Sequence, residues 1–296
     1  MRTAVIAVIA AAVVIAASIG AVALIHHEND GSEEVYGIVV AMDEEAALLI
    51  QSMTTDHIES IGSSDYHIGE LCGKSVVVVR CYDGKVNSAM CTQTLIDRFG
   101  ATAIINSGVG GTLSDRVGIG DIVISTETVQ HDYDESEIGY DPGVVPNIGM
   151  VAIPADPVLR DTAVQAISKV AVGIEVFQGR ICTGDQFISG AEEMHQITDR
   201  FGGICCEMEG GAVAQVCYLN KVPFVVIRAI SDDVNGGGPA DYEKFMKEMS
   251  DLCAKMTMEM LKELKRAPSG TQVPVRLNQT FMNEIRIRTN HTSRRG

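Results

Sequence analysis

The chain is short of positive charge. Its 296 residues carry 23 Lys and Arg against 39 Asp and Glu, for a formal net charge of −16. Phosphate backbones are bound by basic faces, so general nucleic-acid binding is excluded as a working class. Metal-ligand spacing is missing as well. Cys72, Cys81, Cys91, Cys182, Cys205, Cys206, Cys217 and Cys253 form no C-x-x-C pair, and none has a histidine at zinc spacing. They read as small buried apolar residues, and no disulfide is assigned. No G-x-G-x-x-G stands at dinucleotide spacing and no P-loop lysine follows a glycine run, which argues against a nucleotide cofactor. Small-molecule chemistry with neither metal nor organic cofactor is the class that remains.

What is present is a large supply of apolar residues. At 46% hydrophobic and 21% charged, the chain can bury a sizeable core in one large domain or two small ones. Residues 4–25 are apolar throughout apart from Ser18 and Gly20, with Arg2 ahead and the acidic HHENDGSEE behind. That length can span a bilayer, and the flanking charges keep Arg2 cytoplasmic and send the rest outward. Ala21-Val22-Ala23 also fits a small-x-small cleavage site, so both a membrane anchor and a removed signal are open. Residues 1–31 are therefore expected to be the anchor or signal with a short linker, and 32–266 the catalytic domain. Residues 267–296, rich in Arg and broken by Pro, Ser, Gly and Thr, are expected to be a basic tail. The Asn278 and Asn290 acceptor patterns within that tail are short enough to arise by chance.

Between these ends, strand-length β-branched runs recur at YGIVVAM, KSVVVVRC, TAIINSG, GDIVIST and PFVVIRAIS, with helical spacing in SAMCTQTLIDRFG and DPVLRDTAVQAISKV. Continuous apolar strands alternating with helices predict an α/β fold, a parallel or mixed sheet covered on both faces. Ligands in such sheets sit beyond the carboxyl ends of the strands.

Those ends carry the unusual residues. AMDEEAALL places Asp43, Glu44 and Glu45 in a first helical turn, where acids ordinarily complement the helix dipole. NSGVGGTL, expected as a loop after its strand, has glycines that let backbone N–H groups approach a ligand. RAISDD ends in Ser231, Asp232 and Asp233, ordinary turn or cap residues when taken alone. ICCEMEGGAVAQVCYL sets Glu207 and Glu209 at the head of an apolar run, where an ionised carboxylate needs a partner or a task. An ordinary solvent-facing helix start is the plain alternative.

Taken in order, AMDEE, NSGVGGTLSDRVGIGDIVIS with HDYD, TGDQFI, CCEMEGGAVAQVC and VPFVVIRAISDD resemble the 5′-methylthioadenosine/S-adenosylhomocysteine nucleosidases of the nucleoside phosphorylase superfamily, over about Val35 to Lys265. The resemblance implies a three-layer α/β/α fold with a central mixed sheet, no cofactor, a purine nucleoside substrate and a homodimer. It implies Asp232 as the acid that protonates the leaving purine, Glu45 as the base that activates water, and Glu209 as the clamp on the ribose hydroxyls. By the same resemblance Phe187 stacks on the adenine and the Ile188 backbone reads its edge. Gly110 and Gly111 bring backbone to the nucleoside, with Val109 and Ser231 beside them, and Met208 packs on the sugar. Met42 and Tyr242 line the ribose and thioalkyl region, Arg228 helps place the water, and Glu207 pairs with a buried arginine. Ile138, Tyr140 and Pro146 belong to a loop that closes the partner subunit's pocket.

The chain departs from the pattern at Val109, where a serine is frequent, and at Asp233, a second acid beside Asp232. The glycine-rich VNGGGPAD and the two terminal segments also depart from it. A phosphate-dependent phosphorylase would need an arginine cradle that neither YGIVVAMDEEAALL nor NSGVGGTL contains. Futalosine-type and AMP-type nucleosidases share the same acids. A non-catalytic, exported nucleoside-binding protein would be signalled by loss of Glu45, Glu209 or Asp232, and all three are present.

Overall fold

The structure, a computed structural model, describes residues 34–233 and 239–264. The apolar run at 4–25, the tail at 267–296 and most of VNGGGPAD lie outside the described residues. Among the described residues, no helix is long and apolar enough to cross a membrane.

The chain forms β1 (Val35–Val40), α1 (Asp43–Ser52), β2 (Thr54–Ile61), β3 (Ser64–Leu71), β4 (Lys74–Arg80), α2 (Lys85–Phe99), β5 (Ala103–Thr112) and β6 (Ile122–Gln130). A 3-10 turn (Ser136–Ile138) and β7 (Ala152–Pro154) precede α3 (Pro157–Val170). After these come β8 (Val176–Thr183), α4 (Ala191–Phe201), β9 (Cys205–Glu207), α5 (Gly210–Asn220), β10 (Phe224–Asp232) and α6 (Pro239–Glu263). Helix starts and stops follow local chemistry. Asp156 caps α3 by accepting from the N–H groups of Val158 and Leu159, both at 2.9 Å, with Pro157 in the first turn. Helix α2 stops where Gly100 takes φ 65°.

All ten strands join one mixed sheet. The strands β10, β6, β8, β9 and β5 form a path that closes on itself, because β10 also pairs with β5. From β5 the sheet continues outward through β1, β4, β3 and β2. The β1 pairings to β4 and β5 are parallel, as is β5 with β10, whereas β6 runs antiparallel to β10.

Alternate residues of one strand serve different cores, as the two-residue period of a strand requires. Ile38 and Val40 join the core that includes residues of α1, α3 and α6, while Val39 between them joins the core that includes residues of α2 and α5. Val225 and Ile227 join the first core and Val226 the second. Burial on both faces is why these strands read as unbroken apolar runs.

One expectation is corrected. The glycines of NSGVGG do not form a loop, because β5 continues through them to Thr112 and is buried along its whole length. Its neighbours leave no room for side chains: a Cβ on Gly110 would lie 2.8 Å from Cys205 Sγ and 2.9 Å from the Cys206 carbonyl oxygen.

Candidate active site

The carboxyl ends of β1, β5, β9 and β10 meet at a cavity of about 320 Å³. Every residue expected at the site lines it except Arg228 and the loop residues Ile138, Tyr140 and Pro146.

Glu45 enters from the first turn of α1. Its Oε2 accepts the N–H groups of Ala41 at 2.7 Å and Met42 at 3.1 Å, and its Oε1 accepts the Val109 N–H at 2.8 Å. The side chain therefore bridges the ends of β1 and β5. Burial raises its pKa above the usual carboxylate value, although the Arg228 charge and the three N–H donors pull the other way.

The two glutamates of the EME segment have different surroundings. Glu207 Oε2 accepts the N–H groups of Glu209 at 3.1 Å and Gly210 at 2.7 Å, and it forms a buried ion pair with Arg228. The Thr183 hydroxyl donates to Glu207 Oε1 and itself accepts the Gly211 N–H at 2.6 Å. Glu207 thus fixes the start of α5. Glu209 turns into the cavity, where its Oε1 accepts the Gly84 N–H at 2.8 Å and its Oε2 lies 3.6 Å from Arg228. Burial, then the charge of Glu207, push its pKa up to about 8.

Arg228, expected to help place the water, is not among the residues that line the cavity. It is 1% exposed and lies beneath the carboxylates, its Nη2 also donating to Asn106 Oδ1 at 2.7 Å. Burial opposes its charge, but Glu207, Glu209 and Glu45 outweigh that and raise its pKa. Three carboxylates around one guanidinium carry a net negative charge when all are ionised, which a low-dielectric interior disfavours, and the pKa values of Glu45 and Glu209 are raised.

Asp232 closes β10 and sits 5% exposed at the opposite wall. Burial raises its pKa first, followed by the charges of Asp241 and Asp233, against the Ser231 hydroxyl, which donates to its Oδ1 at 2.8 Å. Gly111 permits this approach, since a Cβ there would lie 2.6 Å from Asp232 Oδ2. Phe187 stands half-exposed at the rim, edge-on to Tyr242 with ring centroids 5.3 Å apart. The Tyr242 hydroxyl donates to Met42 Sδ at 2.9 Å.

Sequence reasoning missed Ala41, Asp83, Gln186 and Cys206, which also line the cavity. The strand-end rule that singled out Asp232 could have found Asp83, which follows β4 in CYDG. The eight cysteines are free. Ile138 is 72% exposed on the 3-10 turn, and within one chain its loop does not reach the cavity.

Comparison with known proteins identifies the family and the fold. The phosphorylase superfamily model matches residues 35–264. A 5′-methylthioadenosine/S-adenosylhomocysteine nucleosidase of Shewanella denitrificans is 39% identical over 229 residues, covering 77% of this chain and 99% of the relative. The crystal structure of the Neisseria meningitidis nucleosidase of that name, in complex with methylthio-immucillin-A, superposes with a TM-score of 0.74 at 35% identity, covering 78% of this chain and 100% of that one. The futalosine hydrolase of Helicobacter pylori reaches the same TM-score at 29% identity, covering 78% of this chain and 98% of that one. The chain belongs to the phosphorylase superfamily and, within it, to the 5′-methylthioadenosine/S-adenosylhomocysteine nucleosidase family.

Proposed function

We propose that this chain hydrolyses the N-glycosidic bond of 5′-thioether adenine nucleosides, methylthioadenosine and S-adenosylhomocysteine among them, and releases adenine. The observation that carries this reading is the composition of the cavity wall. Among the described lining residues there are five carboxylates and no Lys, Arg or His. Such a wall repels phosphate and favours a developing sugar cation, so water rather than phosphate is the nucleophile.

In this reading Asp232, kept protonated by burial, gives its proton to N7 of the purine while the bond from the anomeric carbon to N9 breaks and its electron pair goes to the base. Glu45, held in place by three N–H groups, takes the proton of the attacking water as the new C–O bond forms. Glu209 holds the ribose hydroxyls, and in its ionised form it stabilises the positive charge that grows on the sugar. Arg228 acts from below by holding Glu207 and Glu209 in place. Phe187 covers the base.

Two further parts of the proposal concern the whole assembly. A homodimer would bring Ile138, Tyr140 and Pro146 of each subunit to its partner's cavity, a reading supported by the exposed Ile138. The apolar run at 4–25 supports an extracytoplasmic catalytic domain, anchored or released.

The deciding experiment follows release of the free base by the full chain, adenine from methylthioadenosine, S-adenosylhomocysteine and adenosine and hypoxanthine from inosine, with and without phosphate. Free adenine with methylthioribose or S-ribosylhomocysteine, at a rate indifferent to phosphate, is the expected result. Release that requires phosphate points to a phosphorylase, and no release from any of the four points to a binding protein.

A further inference from the structure

The cavity carries one carboxylate for which the hydrolysis has no task. Asp83 lines the wall immediately before Gly84, the residue whose N–H holds Glu209. It stands on a pinned turn. Cys81 N–H donates to the Val40 carbonyl at 2.8 Å, Tyr82 N–H to that of Ala41 at 3.1 Å, and the Asn87 side chain to that of Asp83 at 2.8 Å. Tyr82 and Gly84 take φ of 69° and 94°, so the turn holds its shape through backbone conformations that few sequences adopt.

The field at this end of the cavity is negative. Burial first, then the charges of Glu45, Asp83, Glu44 and Asp232, push the Tyr242 pKa up to about 12. The basic residue nearest in sequence, Lys85, does not neutralise Asp83, because its Nζ is committed to Asp132 at 2.6 Å. Met42, Tyr242 and Asp83 thus make one end of the pocket, apolar in its thioether and ring and acidic at its rim.

The proposed reaction fixes which part of a substrate meets that end. With the base between Phe187 and Asp232 and the ribose on Glu209, which is tied through the Gly84 N–H to the turn that carries Asp83, the proposed reaction directs the 5′ substituent toward Met42, Tyr242 and Asp83. A thioether chain suits the sulfur and ring, and the atom beyond it meets a carboxylate. We propose that Asp83 is a specificity-determining residue that selects 5′-thioether nucleosides whose substituent carries an ammonium group over those ending in a neutral alkyl group. This rests on the nucleosidase reading of the same cavity.

The test uses the full chain and a matched pair of adenine nucleosides, one with an aminopropylthio and one with a butylthio group on the 5′ carbon. The quantity read is the ratio of their kcat/KM values, in the wild type and in Asp83→Asn, at low and high salt. The wild type is expected to favour the amine by about fivefold, the scale of one partly exposed charge pair. That preference should shrink as salt screens the pair, and Asp83→Asn should abolish it at both salt concentrations. A ratio unchanged by the substitution, including the case where both substrates slow equally, overturns the role of Asp83 and leaves the nucleosidase reading standing. Failure of the wild type to cleave either nucleoside overturns the nucleosidase reading and this inference with it.

Discussion

Glu45 and Gly108 are in such close contact that the glycine's missing side chain is part of the site. A Cβ on Gly108 would collide with Glu45 Oε1, the atom that accepts the Val109 N–H at 2.8 Å. Gly108→Ala should therefore displace the proposed base from three converging N–H donors while leaving the fold recognisable. Overpacking of this kind costs about 1–3 kcal/mol. Misplacing a reacting group by about 1 Å lowers turnover by about a hundredfold. Measured kcat and urea unfolding together check this, and a variant with normal kcat would show that the Glu45 position is not critical.

The two proposed proton carriers need opposite charge states at one pH. Both carboxyls are raised above their usual range, Glu45 and Asp232 alike chiefly by burial. Glu45 must be ionised to act, so the rate falls as pH drops through its raised pKa. Asp232 must be protonated, so the rate falls as pH rises through its own. A bell-shaped kcat/KM profile with both limbs above the usual carboxylate range is expected. Glu45→Gln and Asp232→Asn should each lower kcat by about 10² to 10⁴ with unfolding unchanged, and the residual activity of Asp232→Asn should lose the alkaline limb. Normal turnover in either variant removes that residue from its role.

The strands that position the site were readable because burial on both faces makes them unbroken apolar runs, as in IVV of β1 and FVVI of β10. Strands β2 and β3 left no such signal, since TTDHIESI is almost wholly exposed and SDYHIGEL mixes buried with exposed positions. The glycines of β5 looked like a loop because their reason lies in Glu45, Cys205 and Asp232, residues far away in sequence. The surroundings of Arg228 were hidden for a related reason. Nothing in RAISDD reveals that a guanidinium lies beneath the pocket, because Asn106 and Glu207, which hold it there, come from two other strands.

The buried cluster predicts an asymmetry between its members. Among the described residues Arg228 is the cation set against Glu45, Glu207 and Glu209, so Arg228→Met strands acids whose surroundings cannot solvate them. A loss of about 3–5 kcal/mol in urea unfolding is expected for that variant. Glu207→Gln reduces the excess negative charge and keeps an acceptor for the Gly210 N–H, which donates at 2.7 Å. It should cost less than Arg228→Met. Equal losses would mean that hydrogen bonding rather than charge holds the cluster.

Glu209 makes the stability of the unliganded protein depend on pH in a direction opposite to a salt-bridged surface acid. Its folded-state pKa is about 8, raised from 4.5 by burial and by Glu207. Between those values the unfolded chain has released the proton and the folded chain still holds it, so stability falls as pH rises. The contribution is fully present below the unfolded value and is lost as pH climbs through the folded one. Glu209→Gln removes this titration. Its unfolding midpoint, followed in urea across that pH range, should decline less steeply than that of the wild type, while other raised groups such as Glu45 and Asp232 affect both proteins alike. The same substitution replaces the carboxyl proposed to hold the ribose hydroxyls with an amide, so KM should rise and kcat fall. Parallel pH profiles for the two proteins would mean that Glu209 stays ionised in the folded state, with Arg228 at 3.6 Å prevailing over burial.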